Sequence, residues 1–121
     1  LGTAVDYMNS VGFDNIQKQE MELLTYATEQ LLAIEGLKIY GTAENKTSVI
    51  SFNIDGIHPY DIGTIVDKLG IAVRTGHHCA QPIMSFFEIP GTIRASFAFY
   101  NTKEEIDSFV VALKRAILML S

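Results

Sequence analysis

The segment GTIRASFAFYNTKEEID, residues 91–107, changes from a strand pattern to the start of a helix. In its first half apolar side chains occupy every second position, which is typical of a β-strand with one buried face. Thr102 and Glu105 then have the spacing of a capping box, and an apolar stripe follows at helical spacing. The segment therefore predicts a strand that leads into a C-terminal helix. The alternating residues are Ile93, Ala95, Phe97 and Phe99, and the stripe comprises Ile106, Phe109, Val110, Leu113, Ile117 and Leu120.

Two helical patterns occupy the beginning of the chain. The first runs through residues 1–8, and the second extends from Asp14 to Ile34, with Gly36 where a helix C-cap would lie. The chain starts inside the first pattern and without an initiating Met, so we expect a piece of a longer protein with missing partners. The apolar positions of the first pattern are Leu1, Ala4, Val5 and Met8.

The middle of the chain alternates between strand and helix patterns. LKIY, residues 37–40, and SVISFNI, residues 48–54, are half-buried strand patterns joined by a polar loop, so we expect them to pair. A helix is predicted to begin near Pro59 and to end before Gly70, and IAVRT, residues 71–75, predicts a further strand. The predicted order is helix, helix, strand, strand, helix, strand, strand, helix. We expect one α/β domain over residues 1–121, a two-layer α+β arrangement with helices packed on a mixed sheet of about four strands.

The composition excludes several classes of protein. With 121 residues, 48% apolar and 19% charged, the chain is expected to fold as one domain with a real core. Its net charge of −5 and nine dispersed Lys and Arg residues argue against a nucleic-acid partner. One Cys cannot form an internal disulfide, and no apolar run is long enough to span a membrane. The expected location is therefore cytoplasmic, with neither nucleic acid nor a membrane as partner.

Two arginines in the predicted strands are candidates for an anion site. By the two-residue period of a strand, Arg74 points away from Val73, and Arg94 points away from Ile93. If the two strands are neighbours, both guanidinium groups share one surface beside the loop that carries Cys79. Arginine offers a planar fork of donors that matches a carboxylate or a phosphate. The alternative is that each is a solvated edge residue.

Cys79 follows His77 and His78 in the segment RTGHHCAQP, residues 74–82. A nearby cation favours the thiolate, which is the reactive form of a thiol, whereas many free cysteines are buried and inert. Both interpretations stay open on the residues alone. We expect no metal here, because three consecutive residues rarely converge on one tetrahedral centre and only His58 remains as another imidazole.

The motif RTGHHCAQP, followed by GTIRASFAFYNTKEEID, resembles the C-terminal segment of the SUF-type (group II) cysteine desulfurases. These are class V aminotransferase-like enzymes that depend on pyridoxal phosphate, and selenocysteine lyase is an overlapping label for the same group. The resemblance extends through the whole chain, including AVDYMNSVG, residues 4–12. It implies that Cys79 is the nucleophile that takes sulfur from L-cysteine as a persulfide and releases alanine. It also implies that Arg94 binds the substrate carboxylate and that Arg74 belongs to the same pocket. His77 and His78 match the motif, but it assigns them no catalytic step.

The resemblance also implies what this chain lacks. Residues 1–121 correspond to the C-terminal small domain of a fold-type I enzyme, with lead-in helices, and the domain that binds pyridoxal phosphate lies upstream. None of the six lysines has the setting of a Schiff-base lysine, so we expect the chain alone to bind no cofactor and to be inactive. For the parent enzyme the resemblance implies a homodimer and sulfur supply for Fe–S cluster assembly through a SufE-like or SufU-like acceptor. The lysines are Lys18, Lys38, Lys46, Lys68, Lys103 and Lys114.

Two other functions remain as alternatives. A stand-alone persulfide carrier or binding module would accept sulfur on Cys79 without any cofactor. A purely structural interaction domain would use neither Cys79 nor the arginines.

Overall fold

The computed structural model describes residues 1–121 as five helices and four strands. The predicted order is confirmed, with one addition: a short helix follows Cys79, where no helix was predicted. The helices are α1 (Gly2–Val11), α2 (Phe13–Leu32), α3 (Pro59–Lys68), α4 (Gln81–Phe87) and α5 (Lys103–Leu120), and the strands are β1 (Leu37–Tyr40), β2 (Val49–Ile54), β3 (Arg74–Gly76) and β4 (Thr92–Ser96).

The four strands form one sheet in the order β1-β2-β4-β3. Every neighbouring pair is antiparallel, so the expectation of a mixed sheet was wrong in this respect, while the α/β layer itself is confirmed. β1 and β2 pair as expected, and β4 is a central strand between β2 and β3. Helix α4 lies in the connection from β3 to β4, and the chain reverses its direction there, so the two strands pair antiparallel.

One face of the sheet carries the hydrophobic core. The inward side chains of β2 and β4 are fully or almost fully buried against α2, α3 and α5. Their alternation with outward side chains explains the strand patterns, and the three helices contribute one apolar stripe each. Helix α1 buries no residue, and none of the five helices combines the length and apolar content needed to cross a bilayer. The core includes Leu23, Ala27, Leu31, Ile50, Phe52, Ile62, Val66, Ile93, Ile106 and Leu113.

The predicted helix starts are confirmed at the level of hydrogen bonds. Thr102 caps α5 with its side chain, which accepts from the N–H of Glu105, and the Glu105 carboxylate accepts from the N–H of Thr102. Helix α3 begins at Pro59, and the side chain of His58 caps it by accepting from the N–H of Tyr60. These caps fix where the chain turns into the helices that cover the core.

Three predicted boundaries were wrong. Strand β4 ends at Ser96, although the apolar alternation continues, because Asn101 closes a turn with Ala98 through its side chain and its N–H. Strand β3 begins at Arg74, so the first part of IAVRT lies outside the sheet. Helix α2 ends at Leu32 with Ala33 as its C-cap, and Gly36 instead lies in the turn that leads into β1.

Gly91 lies where β4 approaches the end of β3 most closely. Its φ is +155°, and a Cβ atom at this position would lie 2.9 Å from the carbonyl oxygen of Gly76. We expect Gly91→Ala to lower the free energy of unfolding by about 3 kcal/mol, since it adds backbone strain and a clash with main chain. Gly41→Ala is the matched control, because Gly41 has a φ of +89° but nothing within 4 Å. Its expected loss is about 1 kcal/mol. Equal losses in urea unfolding would contradict the close approach.

Candidate active site

The face of the sheet opposite the core carries a row of polar side chains. Arg74 of β3 lies directly opposite Arg94 of β4, which lies opposite Ser51 of β2, which in turn lies opposite Tyr40 of β1. Directly opposed residues point to the same face with Cβ atoms about 5 Å apart. The expectation that neighbouring strands would bring both arginines to one surface is therefore confirmed.

The two arginines differ in their surroundings. Arg74 is exposed, whereas Arg94 is half-buried and its Nε atom is inaccessible to solvent and has no hydrogen-bond partner. The two terminal nitrogens of Arg94 are not buried and make no hydrogen bond within the chain, so they are the donors that an anion bound at this surface can reach. The pair can thus act as a receptor for a carboxylate, although the role in substrate binding stays a prediction.

Cys79 lies on the segment that joins β3 to α4, outside any regular element. Its side chain is exposed, so the alternative of a buried thiol is wrong, while its reactivity stays a prediction. His78 has a φ of +54° and Cys79 a φ of +59°, so two consecutive residues other than glycine adopt the left-handed conformation. The N–H of Ala80 donates to the carbonyl oxygen of His77 over 2.9 Å and closes the turn. The thiol is presented by a tight, strained turn that starts at the strand bearing Arg74.

His78 turns its ring toward the sheet. Its Nε2 atom lies 3.1 Å from the carbonyl oxygen and 3.0 Å from Oγ1 of Thr92, and its Nδ1 atom is buried without a partner. A proton on Nε2 satisfies the Thr92 carbonyl, whereas a second proton on Nδ1 would be a buried donor with no acceptor. Accordingly, burial lowers the pKa of His78 below its usual value, with Arg94, Arg74 and His77 adding repulsion; the Thr92 bond opposes this only in part.

We expect the stability of the chain to fall as the pH drops below about 6.5, the ordinary pKa of histidine. The unfolded chain binds a proton on His78 more readily than the folded chain, because the folded pKa is lowered. The contribution of neutral His78 is therefore complete above the ordinary pKa and is lost as the pH falls through the folded one. Urea unfolding over this pH range checks the slope, and His78→Gln should make it shallower. An unchanged slope in this variant would contradict the assignment.

A pocket of about 320 Å³ lies between α4 and the open face of the sheet. Ser51, His78, Thr92 and Arg94 form its polar side, and the apolar side comes mainly from α4. Tyr40 also lines the pocket, with its ring in edge contact with that of Phe87 at 5.1 Å between centroids. The site thus places the Arg94 guanidinium opposite the apolar side chains of α4, next to the turn that bears Cys79.

The residues of this pocket do not fit pyridoxal phosphate. The cofactor needs a lysine for its Schiff base and usually an acid for its ring nitrogen, and neither a Lys nor an Asp or Glu lines the pocket. Lys38 lies in strand β1, and its Nζ atom is 5.2 Å from the Tyr40 ring centroid. Lys46 is half-buried but donates to the carbonyl oxygen of Gly41.

No group of three or more His, Cys, Asp or Glu side chains in the chain is arranged to hold a metal ion. His77 is exposed and His78 is bound to Thr92, so these neighbours of Cys79 point to different surroundings. We predict metal-free protein by elemental analysis after purification without chelator. Stoichiometric zinc that is lost in Cys79→Ser would contradict this prediction.

The sequence missed three parts of the site. Helix α4 supplies the roof of the pocket, Thr92 anchors His78, and Asn53 lies opposite the same end of β4, with its side chain donating to the carbonyl oxygen of Gly91. Pro82 so close to Cys79 could have indicated a helix start, since Pro is common in a first helical turn. The contact of His78 with Thr92 had no signal of its own, because it depends on the register of β3 against β4.

The chain is similar in sequence to known proteins over nearly its whole length. A family model described as aminotransferase class-V matches residues 1–109. A probable cysteine desulfurase of Xylella fastidiosa is 47% identical over 120 residues, which are 99% of this chain and 29% of the relative. A probable cysteine desulfurase of Staphylococcus aureus is 51% identical over 116 residues, which are 95% of this chain and 28% of the relative. The chain thus spans less than a third of the length of these curated relatives.

The fold is shared with a solved structure of the same kind. The apo structure of the cysteine desulfurase from Thermococcus onnurineus NA1 is 39% identical and superposes with a TM-score of 0.87, over 92% of this chain and 28% of that one. The resemblance that the motifs around Cys79 and Arg94 predict is confirmed by these likenesses. Since the family model matches most of its residues, the chain belongs to the aminotransferase class-V family.

Proposed function

We propose that this chain is the C-terminal small domain of a pyridoxal-phosphate-dependent cysteine desulfurase. The observation that supports this most directly is the exposed Cys79 on a strained turn next to the paired Arg74 and Arg94. A sulfur nucleophile beside a carboxylate receptor suits a substrate that carries both a thiol and a carboxylate, which is the composition of L-cysteine. The relatives named as probable cysteine desulfurases agree with this function.

Cys79 is the sulfur acceptor in this proposal. Its sulfur attacks the sulfur of L-cysteine and forms an S–S bond, while the bond between that sulfur and the substrate β-carbon breaks. The electron pair of the broken bond goes to the substrate side, and a proton added to the β-carbon completes L-alanine. Cys79 is left as a persulfide, so thiol plus cysteine gives persulfide plus alanine with all atoms conserved. The exposure of Cys79 then allows transfer of the outer sulfur to an acceptor.

Arg94 is the residue that binds the substrate carboxylate in this proposal. Its guanidinium is half-buried and its terminal nitrogens have no partner within the chain, so a carboxylate gains charge-assisted hydrogen bonds there that water does not compete for strongly. Arg74, directly opposite, strengthens the attraction for the same group but is exposed and therefore contributes less.

Pyridoxal phosphate belongs to the remainder of the enzyme. The pocket beside Cys79 lacks the groups that hold this cofactor, and the relatives continue well beyond the part that this chain matches. Bound there, the cofactor would supply the electron sink needed to break the substrate C–S bond. We propose a cytoplasmic homodimer for the whole enzyme, which supplies sulfur for Fe–S cluster assembly through a SufE-like or SufU-like acceptor. Activity on selenocysteine would follow from the same chemistry.

The experiment that tests the proposal compares this chain with the longer protein encoded by the same gene. With pyridoxal phosphate added, the longer protein should show a Schiff-base absorption band and form alanine from L-cysteine, and the 121-residue chain should show neither. Alanine formation without the upstream part, or no alanine from the longer protein, would contradict the proposal. If the longer protein only accepts sulfur from an added persulfide, the stand-alone carrier is the correct alternative.

A further inference from the structure

The turn that presents Cys79 has an unusual backbone for the residues it contains. His78 and Cys79 both have φ near +55°, at 54° and 59°, a conformation that residues with a Cβ atom adopt rarely and almost never in succession. Such a geometry persists only where other contacts determine it. Within the turn itself there is one main-chain hydrogen bond, from the N–H of Ala80 to the carbonyl oxygen of His77. The strand β3 and the start of helix α4 hold its two ends, and a side chain adds a restraint at its middle.

The side chain that ties this turn to the sheet is the imidazole of His78. Its Nε2 atom is within hydrogen-bond distance of both the carbonyl oxygen and Oγ1 of Thr92, fourteen residues further along the chain. The anchor is rigid, because Thr92 is only 1% exposed and begins the central strand β4, paired with Gly76 of β3. One end of the turn is therefore held by the β3–β4 ladder and its middle by His78.

We propose that His78 is a positioning residue for the Cys79 thiol: its hydrogen bonds to Thr92 hold the left-handed turn that presents the thiol. This inference rests on the proposed function, since the thiol is positioned for sulfur transfer. His78 touches no reacting atom and acts through the backbone of its neighbour. In the absence of its bonds, the turn relaxes to the more common conformation and the thiol leaves its productive place.

Three substitutions separate the hydrogen bond from the backbone preference. In His78→Gln the amide nitrogen can take the place of Nε2 and donate to Thr92, although Gln disfavours a positive φ. In His78→Asn the residue tolerates a positive φ well, but its shorter side chain does not reach Thr92. His78→Ala has neither property. If the contact with Thr92 positions the thiol, Gln retains more function than Asn; if only the backbone preference of residue 78 is important, the order is reversed.

Steady-state kinetics on the whole holoenzyme give the first measurement. His78→Ala and His78→Asn should lower kcat for alanine formation by about a hundredfold, the loss expected for a misplaced reacting group, with KM for L-cysteine unchanged. His78→Gln should stay within about tenfold of the parent enzyme. A raised KM with unchanged kcat, or Asn performing as well as Gln, would overturn the inference.

Hydrogen exchange of the peptide covering residues 74–82 in the same enzymes gives the second measurement. The Ala80 amide closes the turn, so exchange should be at least about tenfold faster in the Ala and Asn variants than in the Gln variant. This readout needs no substrate. If the parent enzyme forms no alanine while exchange follows the predicted order, the proposed function fails and the positioning by His78 stands; equal exchange in all three variants would overturn the positioning.

Discussion

Alanine formation from L-cysteine should fall by on the order of a thousandfold or more when Cys79 is replaced with alanine in the proposed desulfurase. The substitution removes the sulfur that accepts the persulfide, and no second cysteine exists in residues 1–121 to replace it. Since Cys79 is exposed on a turn and buries no side chain in the core, the fold should be unaffected. Single-turnover assays of alanine and of bound persulfide measure the loss directly.

The cofactor provides the internal control for this variant. The absorption spectrum of bound pyridoxal phosphate and its change on addition of L-cysteine should be preserved, because Cys79 is proposed to take up sulfur and the pocket near it has no Lys, Asp or Glu to hold the cofactor. Cys79→Ser should be as inactive as Cys79→Ala, since a hydroxyl of nearly the same size is a poor acceptor of sulfur. Alanine formation at the parental rate in either variant would disprove the assignment of the nucleophile.

The Arg94→Ala enzyme should lose about 2–4 kcal/mol of transition-state stabilisation, which is a drop in kcat/KM of roughly 30- to 1000-fold. No neighbour satisfies the terminal nitrogens of the half-buried guanidinium, so the carboxylate of the substrate is their expected partner. Arg94→Lys should recover only part of the loss, because an ammonium group retains the charge but not the planar fork. The measurement is kcat/KM for L-cysteine.

Two controls separate loss of the carboxylate contact from general damage. Arg115→Ala changes an arginine on helix α5, far from the sheet face of Arg94, and should leave kcat/KM unchanged. Cysteamine lacks the carboxylate, so the preference of the enzyme for cysteine over cysteamine should disappear in Arg94→Ala. A variant that keeps this preference would show that another residue binds the carboxylate.

Features that depend on local sequence were predictable. The capping box at Thr102 and Glu105, the alternation in β2 and the Pro at the start of α3 each act over a few residues, and each is found in the structure. The face of the sheet to which each arginine points was also predictable, because side chains alternate between the two faces along a strand. Both arginines share one surface once β3 and β4 are neighbours.

Features that depend on contacts between distant segments were not predictable. Whether Arg74 faces Arg94 or a residue further along is a matter of register, which the whole sheet decides. The apolar alternation continues through Phe97 and Phe99, but strand β4 ends at Ser96 because Asn101 closes a turn there. Helix α4 is only seven residues long, too short for its apolar period to be recognised.

The opposed arginines have a consequence for protein engineering. Like charges directly across an antiparallel pair are unfavourable for folding, so this domain carries a defect at the place where its substrate is expected to bind. A directed-evolution campaign that selects only for resistance to heat would favour a neutral residue at Arg74 or Arg94 and would discard the anion receptor while improving the scaffold. Library designs for thermostable desulfurases should therefore hold both positions fixed and seek their gains elsewhere.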